Sequence, residues 1–139
     1  MAKPKVLVDT SGFYALLIRS DSKHAQAVRW LEDFRNSGQY AVTTDYIVDE
    51  TATLFLARSV QHLIQPFFRM LQESEALSML YVDEARFRQS KDQFLKHLDQ
   101  EYSFTDCTSM VVMKELSVKI AVTKDSHFRE AGFRALLAE

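Results

Sequence analysis

The sequence predicts an α/β fold, with a parallel sheet covered by helices on both faces. Three observations carry this. Short runs rich in Val, Ile and Leu alternate with longer segments of helical periodicity, as successive βα units require. Glycine and proline are scarce, three and two, so the connections should be short. No repeat, low-complexity tract or linker interrupts the 139 residues, so one domain, 1–139, is expected.

Along the chain, Lys5–Val8 reads as a buried strand ending at Asp9. Thr10-Ser11 offers an N-cap to a short helix over Gly12–Ile18. Asp21 or Ser22 can cap a second helix to about Asn36, with Ala27, Val28, Leu31 and Phe34 on one face and Ser37-Gly38 as its stop. Tyr40–Thr43 is a short strand. Thr44 or Asp45 then opens a helix to about Arg58, with Ile47, Thr51, Leu54 and Phe55 inward. Ser59–Glu73 is helical again, with Val60, Leu63, Ile64, Phe67 and Leu71 in register and a kink or restart at Pro66. Leu77–Val82 is a strand, and Asp83 caps a helix to about Gln100 with Phe87, Phe94 and Leu98 inward. Ser103 begins a helix to Leu116, Val118–Thr123 is a strand, and Ser126–Ala131 forms a helical turn or two. Phe133–Leu137 reads as a last edge strand.

Composition narrows the function. Hydrophobic residues make up 47% and charged residues 26%, and ten Phe, five Tyr and one Trp can fill a core without staples. Cys107 is the single cysteine, so no internal disulfide points to an oxidising compartment. The basic stretch Met1-Ala2-Lys3-Pro4-Lys5 precedes an apolar run that stops at Asp9, too short for a signal peptide or a membrane span. A cytoplasmic location without membrane attachment is therefore expected. The net charge of −2 gives no general basic coat, which neither proposes nor forbids a nucleic acid as substrate. The absence of a Gly-rich phosphate loop argues against nucleotide-driven chemistry.

Four acids stand out. Asp9 and Asp125 follow predicted strands, at the carboxyl edge where parallel sheets bind ligands, although either could simply cap the next helix. Glu50 falls three residues after Ile47 and four before Leu54, an inward position that predicts a buried or nearly buried carboxylate, while Asp49 can face water. Asp106 sits in Ser103-Phe104-Thr105-Asp106, a capping-box pattern, at the head of an apolar stripe through Met110 and Met113. If the four converge, two carboxylates about 5 Å apart at an effective dielectric near 20 repel by roughly 3 kcal/mol. A divalent cation removes that repulsion, and oxygen-only donors indicate Mg²⁺ or Mn²⁺ rather than zinc. Such sites serve phosphate chemistry. Of the histidines, His24, His62 and His97 read as surface residues, and His127 is close enough to Asp125 in sequence to approach the site. Cys107 has no Cys–His arrangement beside it and reads as core.

The chain resembles a PIN domain, of the kind found in the VapC toxins of bacterial toxin–antitoxin pairs. The resemblance rests on Val6-Leu7-Val8-Asp9-Thr10-Ser11, on Asp45-Tyr46-Ile47-Val48-Asp49-Glu50, on Ser103-Phe104-Thr105-Asp106-Cys107-Thr108-Ser109, and on Thr123-Lys124-Asp125-Ser126-His127-Phe128 with Gly132-Phe133 behind it. Their order and spacing fit over essentially the whole chain. The resemblance implies a three-layer α/β/α sandwich that cleaves RNA with Mg²⁺ or Mn²⁺. The family's acids map onto Asp9, Glu50, Asp106 and Asp125, and its supporting hydroxyls onto Thr10 or Ser11 and Thr105. It also implies a homodimer and a small antitoxin partner. The pattern departs at Arg58-Ser59, where many relatives carry Arg-Gly.

On this reading Asp9, Asp106 and Asp125 hold most of the metal, and Glu50 orients a ligand or water, or takes its proton. Thr10 or Ser11 holds a water or phosphate. Two rival readings fit less well. A phosphatase of the haloacid dehalogenase type needs a second Asp two residues after the first, and Ser11 stands there. A non-catalytic PIN-like module would be free to lose its acids, and all four are present. Phe67-Phe68, next to Pro66, offer an aromatic patch for self-association.

Overall fold

Leu7 pairs with Val42 on one side and with Ala121 on the other, which makes the first strand the centre of the sheet. The computed structural model describes residues 3–139, so Met1 and Ala2 of the expected domain lie outside the described residues. The strands are β1 (Pro4–Val8), β2 (Tyr40–Thr44), β3 (Leu77–Leu80), β4 (Ile120–Val122) and β5 (Arg134–Ala135). They lie in the order β3-β2-β1-β4-β5, all parallel. The helices are α1 (Thr10–Leu17), α2 (His24–Ser37), α3 (Asp45–Ala57), α4 (Ile64–Glu73), α5 (Glu84–Lys96), α6 (Phe104–Glu115) and α7 (His127–Glu130). The chain steps outward from β1 to β3, then returns past β1 to β4. Right-handed crossovers therefore place α1–α4 on one face and α5–α7 on the other, a three-layer α/β/α sandwich. The direction of winding reverses between β1 and β4, and a crevice opens at the carboxyl ends of those two strands.

The central strands are buried on both faces: Val6, Leu7, Val8, Ala121 and Val122 are each at most 3% exposed, so β1 and β4 read as continuous apolar runs. Above them Phe67 packs edge-on against Phe13 and Phe55, with ring centroids 5.1 and 5.7 Å apart. Helix starts follow their capping chemistry. Thr44 Oγ1 accepts the Ile47 amide at 3.1 Å, and Asp83 Oδ1 accepts the Arg86 amide at 2.9 Å. Pro66 lies in the first turn of α4, where its missing N–H removes no helical bond, so the helix restarts after a 3₁₀ turn at Gln61–Leu63. Gly38, at φ +72°, ends α2 in the left-handed conformation.

Several expectations are corrected. Phe67 is fully buried and only Phe68 is exposed, so no two-residue aromatic patch forms beside Pro66. Phe87 and Leu98 are exposed; the inward face of α5 is carried by Ser90 and Phe94, because α5 is half-covered and packs chiefly on α6. Neither Asp21 nor Ser22 caps α2: the helix begins at His24 after Lys23, and the Asp21 carboxylate instead accepts the Lys23 amide and pairs with Lys124. The first helix begins at Thr10, earlier than expected, with Asp9 in the N-cap position but its carboxylate turned elsewhere. His24 is half-buried, with Nδ1 2.7 Å from the Ala15 carbonyl, and half-buried His97 lies against Tyr102. The last strand is only Arg134–Ala135, since the chain turns into a 3₁₀ helix at Leu136.

Candidate metal centre

Asp9 leaves β1 at the crevice, Thr123 and Asp125 leave β4 beside it, and Asp106 comes in on the first turn of α6. The three aspartates, together with Glu50, Ser103 and His127, line one cleft of about 690 Å³. Gly12 lets the cleft close at its base. A Cβ there would lie 2.2 Å from the Val122 carbonyl oxygen, so only glycine lets the first turn of α1 rest on β4. The Asp9 amide reaches the same carbonyl at 3.2 Å.

The Asp9 carboxylate is 5% exposed. Its Oδ2 accepts the Thr123 hydroxyl at 2.9 Å, and its Oδ1 is buried with no hydrogen-bond partner. Burial pushes its pKa up to about 7, against the pull of the Thr123 hydrogen bond, and the charges of Asp106 and Glu50 add to the rise. Thr123 is the hub of a small network. Having given its proton to Asp9, its oxygen accepts from Ser11 Oγ at 3.0 Å and from the Asp125 amide at 3.0 Å. Ser11 Oγ in turn accepts the Lys124 amide at 2.8 Å. The loop after β4 is thus tied to the loop after β1 by hydroxyls.

Asp106 plays two parts. The capping box is complete: Ser103 Oγ accepts the Asp106 amide at 2.9 Å, and Asp106 Oδ2 accepts the Ser103 amide at 3.2 Å. The same carboxylate is 7% exposed on the cleft wall, and burial together with the neighbouring Asp125 charge raises its pKa. Asp125 Oδ1 accepts the His127 amide at 2.9 Å, which folds the loop back toward Asp106. One donor atom each from Asp106, Asp125 and His127 lies within 4.8 Å of the others. Asp9 and Glu50 line the same cleft outside that tight group.

Glu50 is corrected in one respect: it is exposed, not buried. At about 100° per residue, Ile47, Val48, Thr51 and Phe55 centre the buried arc of α3, and Glu50 falls roughly 110° from that centre, on the helix edge facing the cleft. Thr10 and Ser11 both line the cleft; Thr10 Oγ1 accepts the Thr51 hydroxyl at 3.2 Å, and Ser11 Oγ bonds Thr123 at 3.0 Å and accepts the Lys124 amide at 2.8 Å. Thr105 is half-buried and does not line the cleft; Ser103 does. His127 Nδ1 stands beside the oxygen donors, 3.2 Å from Asp125 Oδ1 and 3.5 Å from Asp106 Oδ2.

Sequence reasoning missed the basic side of the cleft. Arg58 and Lys124 both lie over the Tyr14 ring, 5.4 and 5.8 Å from its centroid, and Lys124 Nζ pairs with Asp21 at 2.6 Å. All four residues line the cleft. Lys124 was legible beside Asp125, but nothing in the sequence places Tyr14 and Arg58 there.

The donor set fits a hard divalent cation. An unpartnered, buried carboxylate oxygen among like charges is costly, and a cation satisfies it. Comparisons with known proteins agree with this geometry. A family model described as PIN domain matches residues 6–134. The 23S rRNA-specific endonuclease VapC20 of Mycobacterium tuberculosis is 29% identical over 128 residues, 92% of this chain and 95% of the relative. A VapC ribonuclease of Archaeoglobus fulgidus is 28% identical over 125 residues, 88% of this chain and 78% of the relative. The crystal structure of M. tuberculosis VapC20, described as a Sarcin-Ricin loop cleaving toxin, superposes with a TM-score of 0.82 at 26% identity, covering 92% and 95% of the two chains. FitAcB from Neisseria gonorrhoeae shares the fold, with a TM-score of 0.61 at 19% identity over 94% of each chain.

Proposed function

The chain belongs to the PIN domain family, and from that premise we propose that it is a divalent-metal-dependent endoribonuclease, the toxin of a toxin–antitoxin pair, acting as one domain over residues 1–139. The observation that carries the reading is Asp9: a buried carboxylate with one bare oxygen, in a cleft that Glu50, Asp106 and Asp125 also line. Asp9, Asp106 and Asp125 hold the ion, Mg²⁺ or Mn²⁺. When bound, the ion supplies an activated water and neutralises charge developing on the phosphoryl oxygens.

The rest is the work of the chain's own groups. Thr123 keeps Oδ2 of Asp9 occupied and leaves Oδ1 without a hydrogen-bond partner. Ser103 holds Asp106 by its backbone amide. Glu50, exposed at the rim, is placed to orient a water or accept its proton. Arg58 gives the cleft a cation for backbone phosphates, despite the net charge of −2, while Lys124 is paired with Asp21 at the same wall. Tyr14 offers an aromatic face at the same wall.

The partners are RNA, a small antitoxin protein and a second copy of the chain. Leu56, Phe68, Leu95 and Leu98 are 47–59% exposed, apolar surface that suits protein partners. No described helix is long and apolar enough to cross a membrane. The test is cleavage of a mixed RNA pool with chelator, Mg²⁺ or Mn²⁺, alongside para-nitrophenyl phosphate. Metal-dependent internal cuts in RNA with no phosphatase activity are expected. Hydrolysis of the small phosphate alone, or binding of RNA without cutting under any metal, overturns the reading.

A further inference from the structure

We propose that His127 is a nitrogen ligand of the cation, beside Asp106 and Asp125, and that it tilts this site toward Mn²⁺ over Mg²⁺. The inference rests on the metal-dependent reading above and refines it to one residue and one ion.

Three observations carry it. First, His127 Nδ1 lies 3.2 Å from Asp125 Oδ1 and 3.5 Å from Asp106 Oδ2. Two donors at right angles about a cation, each at about 2.1 Å, stand about 3 Å apart. Nδ1 therefore stands from each of the two oxygens at nearly the spacing of neighbouring ligands on one ion, and the two acids' donor atoms lie within 4.8 Å of each other.

Second, Nδ1 is buried and has no hydrogen-bond partner. An imidazolium bridging the two acids would hold them at about 2.7–2.9 Å. The observed separations are longer than that, so Nδ1 is not engaged as a hydrogen-bond donor to either acid.

Third, the ring is held in place. The His127 amide is bonded to Asp125 Oδ1, and the ring meets Tyr102 edge to face at 5.4 Å. Tyr102 is itself buried and backed by His97 at 5.9 Å. The donor thus sits in position before the ion arrives, as ligand sites require.

An all-carboxylate site scarcely distinguishes the two ions, whereas imidazole favours transition metals and adds little for Mg²⁺. The test uses the untagged full chain, stripped of metal, titrated calorimetrically with MnCl₂ and with MgCl₂. His127→Ala should weaken Mn²⁺ binding about tenfold or more and Mg²⁺ binding far less. Electron spin-echo modulation of the Mn²⁺-loaded parent should show nitrogen coupling, and the variant should lack it. Unchanged or tighter Mn²⁺ binding in a folded variant, or no nitrogen coupling in the parent, overturns the role of His127. If His127→Ala fails to fold, the parent's nitrogen signal decides alone. A parent that binds neither ion overturns the metal-dependent reading itself, which is a separate outcome.

Discussion

Thr123 donates its hydroxyl to Asp9 Oδ2 across the gap between β4 and β1, at 2.9 Å, and Oδ1 is left as the carboxylate oxygen without a hydrogen-bond partner. Thr123→Val keeps the side-chain shape and deletes the bond. It leaves Ser11 Oγ and the Asp125 amide short of an acceptor, a stability loss of about 1–3 kcal/mol. Asp9 loses the contact that lowers its pKa, so the ion must compete harder with a proton. Activity at neutral pH and limiting Mg²⁺ should fall about 10- to 100-fold, and should recover in part at higher pH. A metal titration at two pH values checks this; parent-like curves at both would refute it.

Asp9 makes the metal-free protein sensitive to pH. Its folded pKa is about 7, raised from 3.8 chiefly by burial. A raised folded value means the associated stability is complete below the unfolded pKa and drains away as pH climbs through the folded one. The window is therefore about pH 4 to 7, and the loss is on the order of 4 kcal/mol. Asp106 shifts in the same direction. Thermal melts in chelator should fall across that window and level off above it, and divalent metal should restore the loss by mass action. Asp9→Asn should flatten the slope, raise the metal-free melting temperature at neutral pH and abolish cleavage.

Ser59 occupies a position suited to glycine. Its φ is +59°, and it closes a Schellman turn after α3, with the Val60 amide on the Phe55 carbonyl and the Ser59 amide on that of Leu56. A side chain in the left-handed region costs about 1 kcal/mol. Ser59→Gly should recover much of it, raising the melting temperature by about 2–5 °C with cleavage unchanged. A neutral or lower melting temperature would show that the serine is not strained.

Arg58→Ala removes one cation from the cleft while leaving the acids in place. KM for RNA should rise about three- to tenfold, roughly 1 kcal/mol, with kcat little changed. The dependence of log affinity on log salt should lose about 0.7 of its slope on a single-stranded substrate. A fall in kcat at constant KM would instead place Arg58 in the chemistry.

The fold was legible because its signals are local. Apolar runs such as Val6–Val8 and Ile120–Val122, capping residues such as Thr44 and Asp83, and the restart at Pro66 depend on neighbours a few residues away. The strand-end aspartates could be read for the same reason. What escaped was edge position and distance. Glu50 sits where a helix face turns from buried to exposed, and a shift of one position in the apolar stripe changes the answer. Phe87 is exposed because α5 buries little of its surface, and Leu98 because α5 ends at Lys96 and the chain passes into a 3₁₀ turn. The Thr123 hub joins residues 112 and 114 apart, and no periodicity reports such contacts. Asp106 carried two compatible signals, cap and site acid, and the structure contains both geometries.

The rest of Gly12 upon β4 has a bearing on the timing of synthesis. Asp9 and Gly12 are made early, but the carbonyl that Gly12 touches belongs to Val122, and the hydroxyl that aims Asp9 belongs to Thr123. A growing chain therefore carries its first acid through 114 residues without the group that orients it. Contacts of such separation form late, after the intervening elements have docked. The Thr123–Asp9 contact is therefore made only once β4 has emerged and slotted in beside β1.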